Sequence, residues 1–391
     1  LKVEGLRRAA DGADGARVSH RSEDSLFRGT CRGARGPRRR DLREPPITRI
    51  PAHPGPEMYY SSSVDHYFVK LGPGNALAGP LLSDQRLNQP AVAGFFRDVR
   101  LTAIQDADSQ KRPRFSRQAL DLYRWAEGDL PGYAITVALG AVWVLEPTGP
   151  MYEMERETFE RTVGQTPHDD DVPKIVPVHI AYTDDVGHIP TLLAQIMSNR
   201  RLSSSTFKQI TDDFGTQLAV DHLLFKAGLQ DTYPHIAPDH RSLYDLLRCL
   251  SASELIALVG RLLEEQGLHV PAPTGGFVKN VDLFAYNDHA LDRNIEGVRV
   301  AARERFRSGV VALQVRRETS SPAGELSPEV DYLLQLNGEE GDGKLGCEWI
   351  AALLRRSPHA RAWLARLLRW VPFSGCVLGE MQGEHALEFR P

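Results

Sequence analysis

The sequence is sparing with cysteine, has no long apolar run and carries little net charge for its size. Its four cysteines, Cys31, Cys249, Cys347 and Cys376, are far apart and show no C-x-x-C spacing. That argues against a structural zinc and for a reducing compartment. No stretch of eighteen apolar residues occurs, so no membrane-spanning helix is expected. The longest apolar segment, YAITVALGAVWVLEP at 133–147, is interrupted by Gly140 and reads as buried strands. No charged segment followed by an apolar one opens the chain, so a cytoplasmic protein without a secretory signal is expected. A net charge of −4 weighs against a nucleic-acid binder, unless positive charge is gathered on one face.

What is present is ordinary globular composition, 41% hydrophobic and 25% charged over 391 residues, enough for two or three domains. The charge is uneven. Residues 1–57 hold 13 Lys and Arg against 8 Asp and Glu, whereas the remaining 334 hold 34 against 43. The stretch LFRGTCRGARGPRRRDLREPPITRIPAHPGP has no apolar period and is rich in Arg, Gly and Pro. It reads either as a disordered extension, foreign to the folded protein, or as a basic nucleic-acid arm. From Met58 the texture changes to short alternating strands with few helices, up to about residue 210, which suggests a small β-barrel-like domain. Residues 211–240 read as a helix and a Pro/His-rich linker. From Arg241 onward, helices and strands alternate to the end.

Two signals stand out in the rear segment. In SASE (251–254), Ser251 and Glu254 have the spacing of a capping box at the start of a long apolar helical stripe, and Gly267 is placed to stop that helix. In VVALQVRRE (310–318), strand alternation sends Val311, Leu313 and Val315 to one face and Ala312, Gln314 and Arg316 to the other. An amide and a guanidinium on one face of an apolar strand are either a solvated sheet surface or part of a polar site.

Taken in order, LRCLSASELIALVGRLLEEQGLHV, VDLFAY and ALQVRRE resemble the Mrr-type restriction endonuclease-like domain of the PD-(D/E)xK fold, over residues 246–317. The resemblance implies a mixed sheet flanked by helices, α/β in class and α+β overall. It implies a Mg²⁺- or Mn²⁺-dependent endonuclease whose helix carries a Glu, first strand an Asp, and second strand a Gln or Glu followed two residues on by Lys. Those positions fall on Glu254, Asp282, Gln314 and Arg316. Asp282, Gln314 and Glu254 would offer oxygens to the ion, which polarises the phosphoryl group and activates water. The chain departs from the family at Arg316, since arginine is always protonated and cannot act as a base, although it can neutralise phosphate charge. Lys279, three residues before Asp282, is the other cation within reach. The 31 residues between Asp282 and Gln314 exceed the family's short hairpin. Each position also has a plainer reading: Glu254 as the capping acid, Asp282 as a turn cap, Gln314 and Arg316 as a wet sheet face.

The front segment, through YYSSSVDHYFVKLGPG, AGFFRDVRL and WAEGDLPGYAITVALGAVWVLEP, resembles the EVE/PUA-like domains that precede Mrr-type nucleases. The resemblance implies a reader that takes a flipped base into an aromatic pocket, with Tyr67, Phe96 and Trp125 as candidate walls and Asp98 as an edge acceptor. The plainer reading of each ring is the core of a small barrel. The combined expectation is a cytoplasmic, modification-dependent restriction enzyme of a defence system. It would act on base-modified double-stranded DNA, as a monomer or homodimer. The alternative is a modified-DNA-binding protein that has lost cleavage because Arg316 replaces the lysine.

Overall fold

In the computed structural model the described residues are 65–97, 99–105, 114–167, 171–198, 206–210, 213–233, 236, 240–271, 273, 278–303, 309–317, 327–338 and 340–381. All of them lie within the unit Pro56–Pro391. The basic segment 1–57 and Asp98 lie outside the described residues.

The front sheet is built from β1 (Tyr67–Val69), β2 (Ala91–Arg97), β3 (Ala134–Ala138), β4 (Ala141–Pro147), β5 (Tyr152–Glu153), β6 (Asp171–Asp185) and β7 (Phe207–Gln209). Its order is β2-β6-β4-β3-β1-β7, with β5 also on β6. Only the β1–β3 pair is parallel, so the sheet is mixed. Leu139 and Gly140 both take left-handed backbone angles, φ 57° and 75°, the geometry of a two-residue hairpin turn. They fold the long apolar segment back on itself as β3 and β4. The fifteen-residue β6 pairs with β2 through its first half and with β4 through its second, and this curls the sheet. Among the described residues the end strands β2 and β7 do not pair with each other, so the sheet curls without closing into a barrel.

Helices flank this sheet: α1 (Leu101–Gln105), α2 (Arg114–Ala126), α3 (Arg156–Val163) and α4 (Thr191–Ser198). Ala119, Leu122, Trp125 and Ala126 recur at helical spacing on α2 and are buried in the front core. The next helix, α5 (Phe214–Lys226), serves two cores. Phe214 and Leu218 pack into the rear core, whereas Ala219, Val220, Leu223 and Leu224 pack with β1, β3 and β4 of the front sheet.

The rear part opens with α6 (Leu243–Arg248) and α7 (Ala252–Glu265). The apolar stripe from 242 to 270 is therefore two helices, because each begins with its own capping box. Ser242 with Asp245 starts the first, and Ser251 with Glu254 the second. Gly267, at φ 83°, ends α7. The rear sheet contains β8 (Leu283–Asn287), β11 (Gly309–Arg316), β12 (Tyr332–Gln335) and β13 (Lys344–Leu345), in the order β13-β12-β11-β8. Strand β11 runs antiparallel to β8 and parallel to β12. The insertion between β8 and β11 carries a separate hairpin, β9 (Arg293–Ile295) and β10 (Val298–Val300).

Helices α8 (Cys347–Arg356), α9 (Pro358–Leu367) and α10 (Ser374–Glu380) complete the chain, split at Ser357–Pro358 as the proline implies. One face of the rear sheet (Leu283, Ala285, Val311, Leu313, Val315) packs against α7 and α8 in the large rear core. On the other face, Ala312 packs with Val281 and Val330, with Phe284 alongside. No helix among the described residues is long and apolar enough to cross a membrane.

Candidate functional site

The site is set by how β11 outruns its neighbour. The β8–β11 register ends at Leu283 opposite Leu313. Past that point the Asp282 N–H still donates to the Leu313 carbonyl at 2.9 Å. The Val315 N–H, which has lost a strand partner, donates to Asp282 Oδ2 at 2.7 Å. Asp282 thus sits beside the Leu313–Val315 segment, with Gln314 between the two residues it bonds. Gln314 is half-buried and Arg316 exposed, on the face that carries Ala312. Burial pushes the Asp282 carboxyl above its ordinary value, against the downward pull of the Val315 N–H and the Arg316 charge. Arg316 is therefore close enough for its field to be felt at the acid.

The remaining sequence candidates have other partners. Glu254 is held in its capping box: the Ser251 N–H donates to Glu254 Oε2 at 2.8 Å, and the Glu254 N–H donates to Ser251 Oγ at 3.3 Å. Lys279 is exposed, and its charge acts on Glu329, whose carboxyl is held down first by the Ser327 hydroxyl. Among the described residues no group of three or more His, Cys, Asp or Glu side chains converges.

Mg²⁺ asks for hard oxygens in near-octahedral array. The chain offers one carboxylate already bonded to an N–H, one amide across from it, and a permanent cation close by. That donor set does not make a protein-built metal cage.

In the front part, Tyr67 and Phe96 of the sheet and Trp125 of α2 are all core residues, with relative exposures of 3%, 2% and 0%. Tyr67 stacks on Phe207 at 4.9 Å between ring centroids, and Trp125 lies 5.4 Å from the same ring. The Trp125 indole N–H donates to the Gly132 carbonyl at 2.9 Å. Burial raises the Tyr67 phenol to about 12. These rings hold the sheet and α2 together, and none turns a face outward to receive a base.

A residue missed in the sequence is Asp213, the N-cap of α5. It accepts from Thr216 N–H at 3.1 Å and from the Thr216 hydroxyl at 2.6 Å. Arg248 reaches its other oxygen at 3.3 Å, and Arg317 pairs with Oδ2. Arg317 also donates to the Leu250 carbonyl at 3.3 Å. An Asp ahead of an apolar helical run is a legible N-cap signal; its partnership with Arg317, 104 residues away, is not.

A groove of about 1080 Å³ lies apart from Asp282, between β10, β12, β13 and α8. Of its carboxylates, Glu296 pairs with Arg356 and Glu340 accepts from the Gly346 and Trp349 N–H groups. Acids outnumber bases on its walls, five to three, which does not suit a phosphate. Compared with known proteins, the chain matches no family model, no curated protein and no solved structure.

Proposed function

We propose that this chain is a DNA-binding protein on a restriction-endonuclease-like frame, one that engages the phosphodiester backbone without cutting it. The observation that carries the reading is how the two candidate acids are engaged. Asp282 is turned onto the Val315 N–H and Glu254 onto the Ser251 N–H, while Arg316 stands exposed at the last position of β11. A guanidinium with open donors matches phosphate oxygens in shape and charge, and needs no metal to do so. The proposal is confined to the backbone, because the rings that would read a base are core residues.

A second reading, a Mg²⁺-dependent endonuclease, is favoured by one fact. Asp282 bonds the two residues that flank Gln314, and Mg²⁺ often takes one or two protein oxygens and completes its shell with water and phosphate.

One set of assays divides the two readings. The purified chain is expected to bind duplex DNA in EDTA, with affinity falling as salt rises. Arg316→Ala should weaken binding about tenfold and lower the salt slope by about one. Nicking of base-modified plasmid with Mg²⁺ or Mn²⁺ that disappears in Asp282→Ala would replace the first reading with the second. Absence of any salt-dependent DNA affinity would remove both.

A further inference from the structure

We infer that Asp213 is a positioning residue for the strand end that carries Gln314 and Arg316, acting through Arg317. This rests on the DNA-binding reading above. Arg316 is the last residue of β11, and Arg317 follows it in a bend. Arg316 is exposed, whereas Arg317 turns inward, with a side chain only 16% exposed against an Asp213 side chain 12% exposed. Past Leu313, β11 has lost its β8 partner while β12 still pairs with it as far as Arg316, so the ladder fixes its last residues from one side only. Two side-chain devices stand in for the missing strand: the Asp282 carboxylate on the Val315 N–H, and the Arg317 fork on Asp213 and the Leu250 carbonyl.

The second device is anchored at the N-terminus of α5, the helix shared by the front and rear cores. Arg248 grips the same carboxylate, and its guanidinium lies 5.7 Å from the Phe214 ring centre and 5.5 Å from that of Tyr244. Gly215 lets α5 approach this closely, since a Cβ there would fall 2.1 Å from the Arg248 carbonyl oxygen. Asp213 therefore ties the residue that follows β11 to the helix that leads back to the front sheet. The aim of Arg316 follows from the grip on its neighbour.

The test is a double-mutant cycle read by DNA binding and by unfolding. Asp213→Asn suits it, because asparagine caps a helix as well as aspartate while its neutral amide loses the charge-assisted bonds to Arg317 and Arg248. Affinity for a labelled duplex DNA in EDTA should fall about three- to tenfold for Asp213→Asn in the natural background. In the Arg316→Ala background it should not change further, a coupling of the size contacting residues show. Thermal stability should drop by the same amount in both backgrounds, which separates aim from general loosening. Arg317→Lys, which keeps the charge and loses the fork, should fall between the two and supplies the cycle if Asp213→Asn does not fold.

An equal loss of affinity in both backgrounds, or none in the natural one, overturns the inference while the DNA reading stands. No effect of Arg316→Ala itself would overturn the reading, and the inference with it.

Discussion

The two sheets treat their chemically interesting residues in opposite ways. The front sheet and α2 turn their aromatics inward: Tyr67, Phe96 and Trp125 are all but sealed, and even the Lys174 ammonium is fully buried, 3.5 Å from Glu153 and donating to the Val172 carbonyl at 3.1 Å. The rear sheet leaves polar residues where β11 runs past β8 while still paired with β12: there Asp282 takes the Val315 N–H, Gln314 is half-buried and Arg316 is exposed. The difference is one of strand termination. A strand paired along its length hides its side chains in a core, whereas a strand that outlasts its partner must satisfy its N–H groups some other way. Polar side chains collect there for that reason alone, and function can then use them.

The sharpest way to break this comparison is to truncate a front aromatic. Trp125→Ala removes a fully buried ring and its hydrogen bond to Gly132, so unfolding in urea should show a loss of about 3–5 kcal/mol. DNA affinity per folded molecule should be unchanged. A variant of near-native stability that has lost selectivity for modified DNA would instead make Trp125 a pocket wall and erase the contrast between the sheets.

A smaller effect tests whether Glu254 belongs to the site or to its helix. Ser251→Ala removes the acceptor for the Glu254 N–H and should cost about 1 kcal/mol. Glu254→Gln keeps an oxygen for the Ser251 N–H and should cost less. Neither should alter DNA affinity. Loss of affinity in Glu254→Gln without loss of stability would return that carboxylate to the site.

What could be read in the sequence follows the range of the interactions. Local signals carried far. The SASE box and Gly267 marked the bounds of α7, Gly140 marked the β3–β4 turn, and Ser357–Pro358 marked the break between the last long helices. The same rule, applied to SLYD at 242–245, would have found the second capping box and divided the helical stripe. The alternation in VVALQVRRE correctly separated Val311, Leu313 and Val315 from Gln314. Lost were the facts that depend on where a partner strand stops. Asp282 bonds the residues on either side of Gln314, but the direction of its carboxylate is set by the Val315 N–H, which has no β8 partner because β8 begins at Leu283. Likewise, nothing local distinguishes Arg316, which faces solvent, from Arg317, which closes on Asp213. The aromatic residues were ambiguous for a related reason: a ring lining a pocket and a ring filling a core share the same short-range pattern, and only the position of Phe207 against Tyr67 and Trp125 decides between them.

The smallest expected effect is also the one that compares the sheets by sign. In the front sheet, Asp184 at the end of β6 accepts first from Lys226, then from His188, Tyr182 and the Asp185 N–H, and its carboxyl is held well below the usual carboxylate range. A depressed value in the folded state contributes stability that is present above the unfolded value and lost as pH falls through the folded one. Asp282 is shifted the other way, by burial. Its contribution is full below the unfolded carboxylate value and lost as pH rises through the folded one. From neutral pH down to about 4, the natural protein should therefore gain stability relative to Asp282→Asn, whose amide oxygen can still take the Val315 N–H. Below that range it should lose stability relative to Asp184→Asn. Removing Arg316 takes away a charge that favours the Asp282 carboxylate, so Arg316→Ala should carry the Asp282 window to higher pH. Parallel pH–stability curves for the natural protein and Asp282→Asn would mean that the acid at the end of β11 is as well solvated as any surface carboxylate, and that this strand end is wetter than its hydrogen bonds imply.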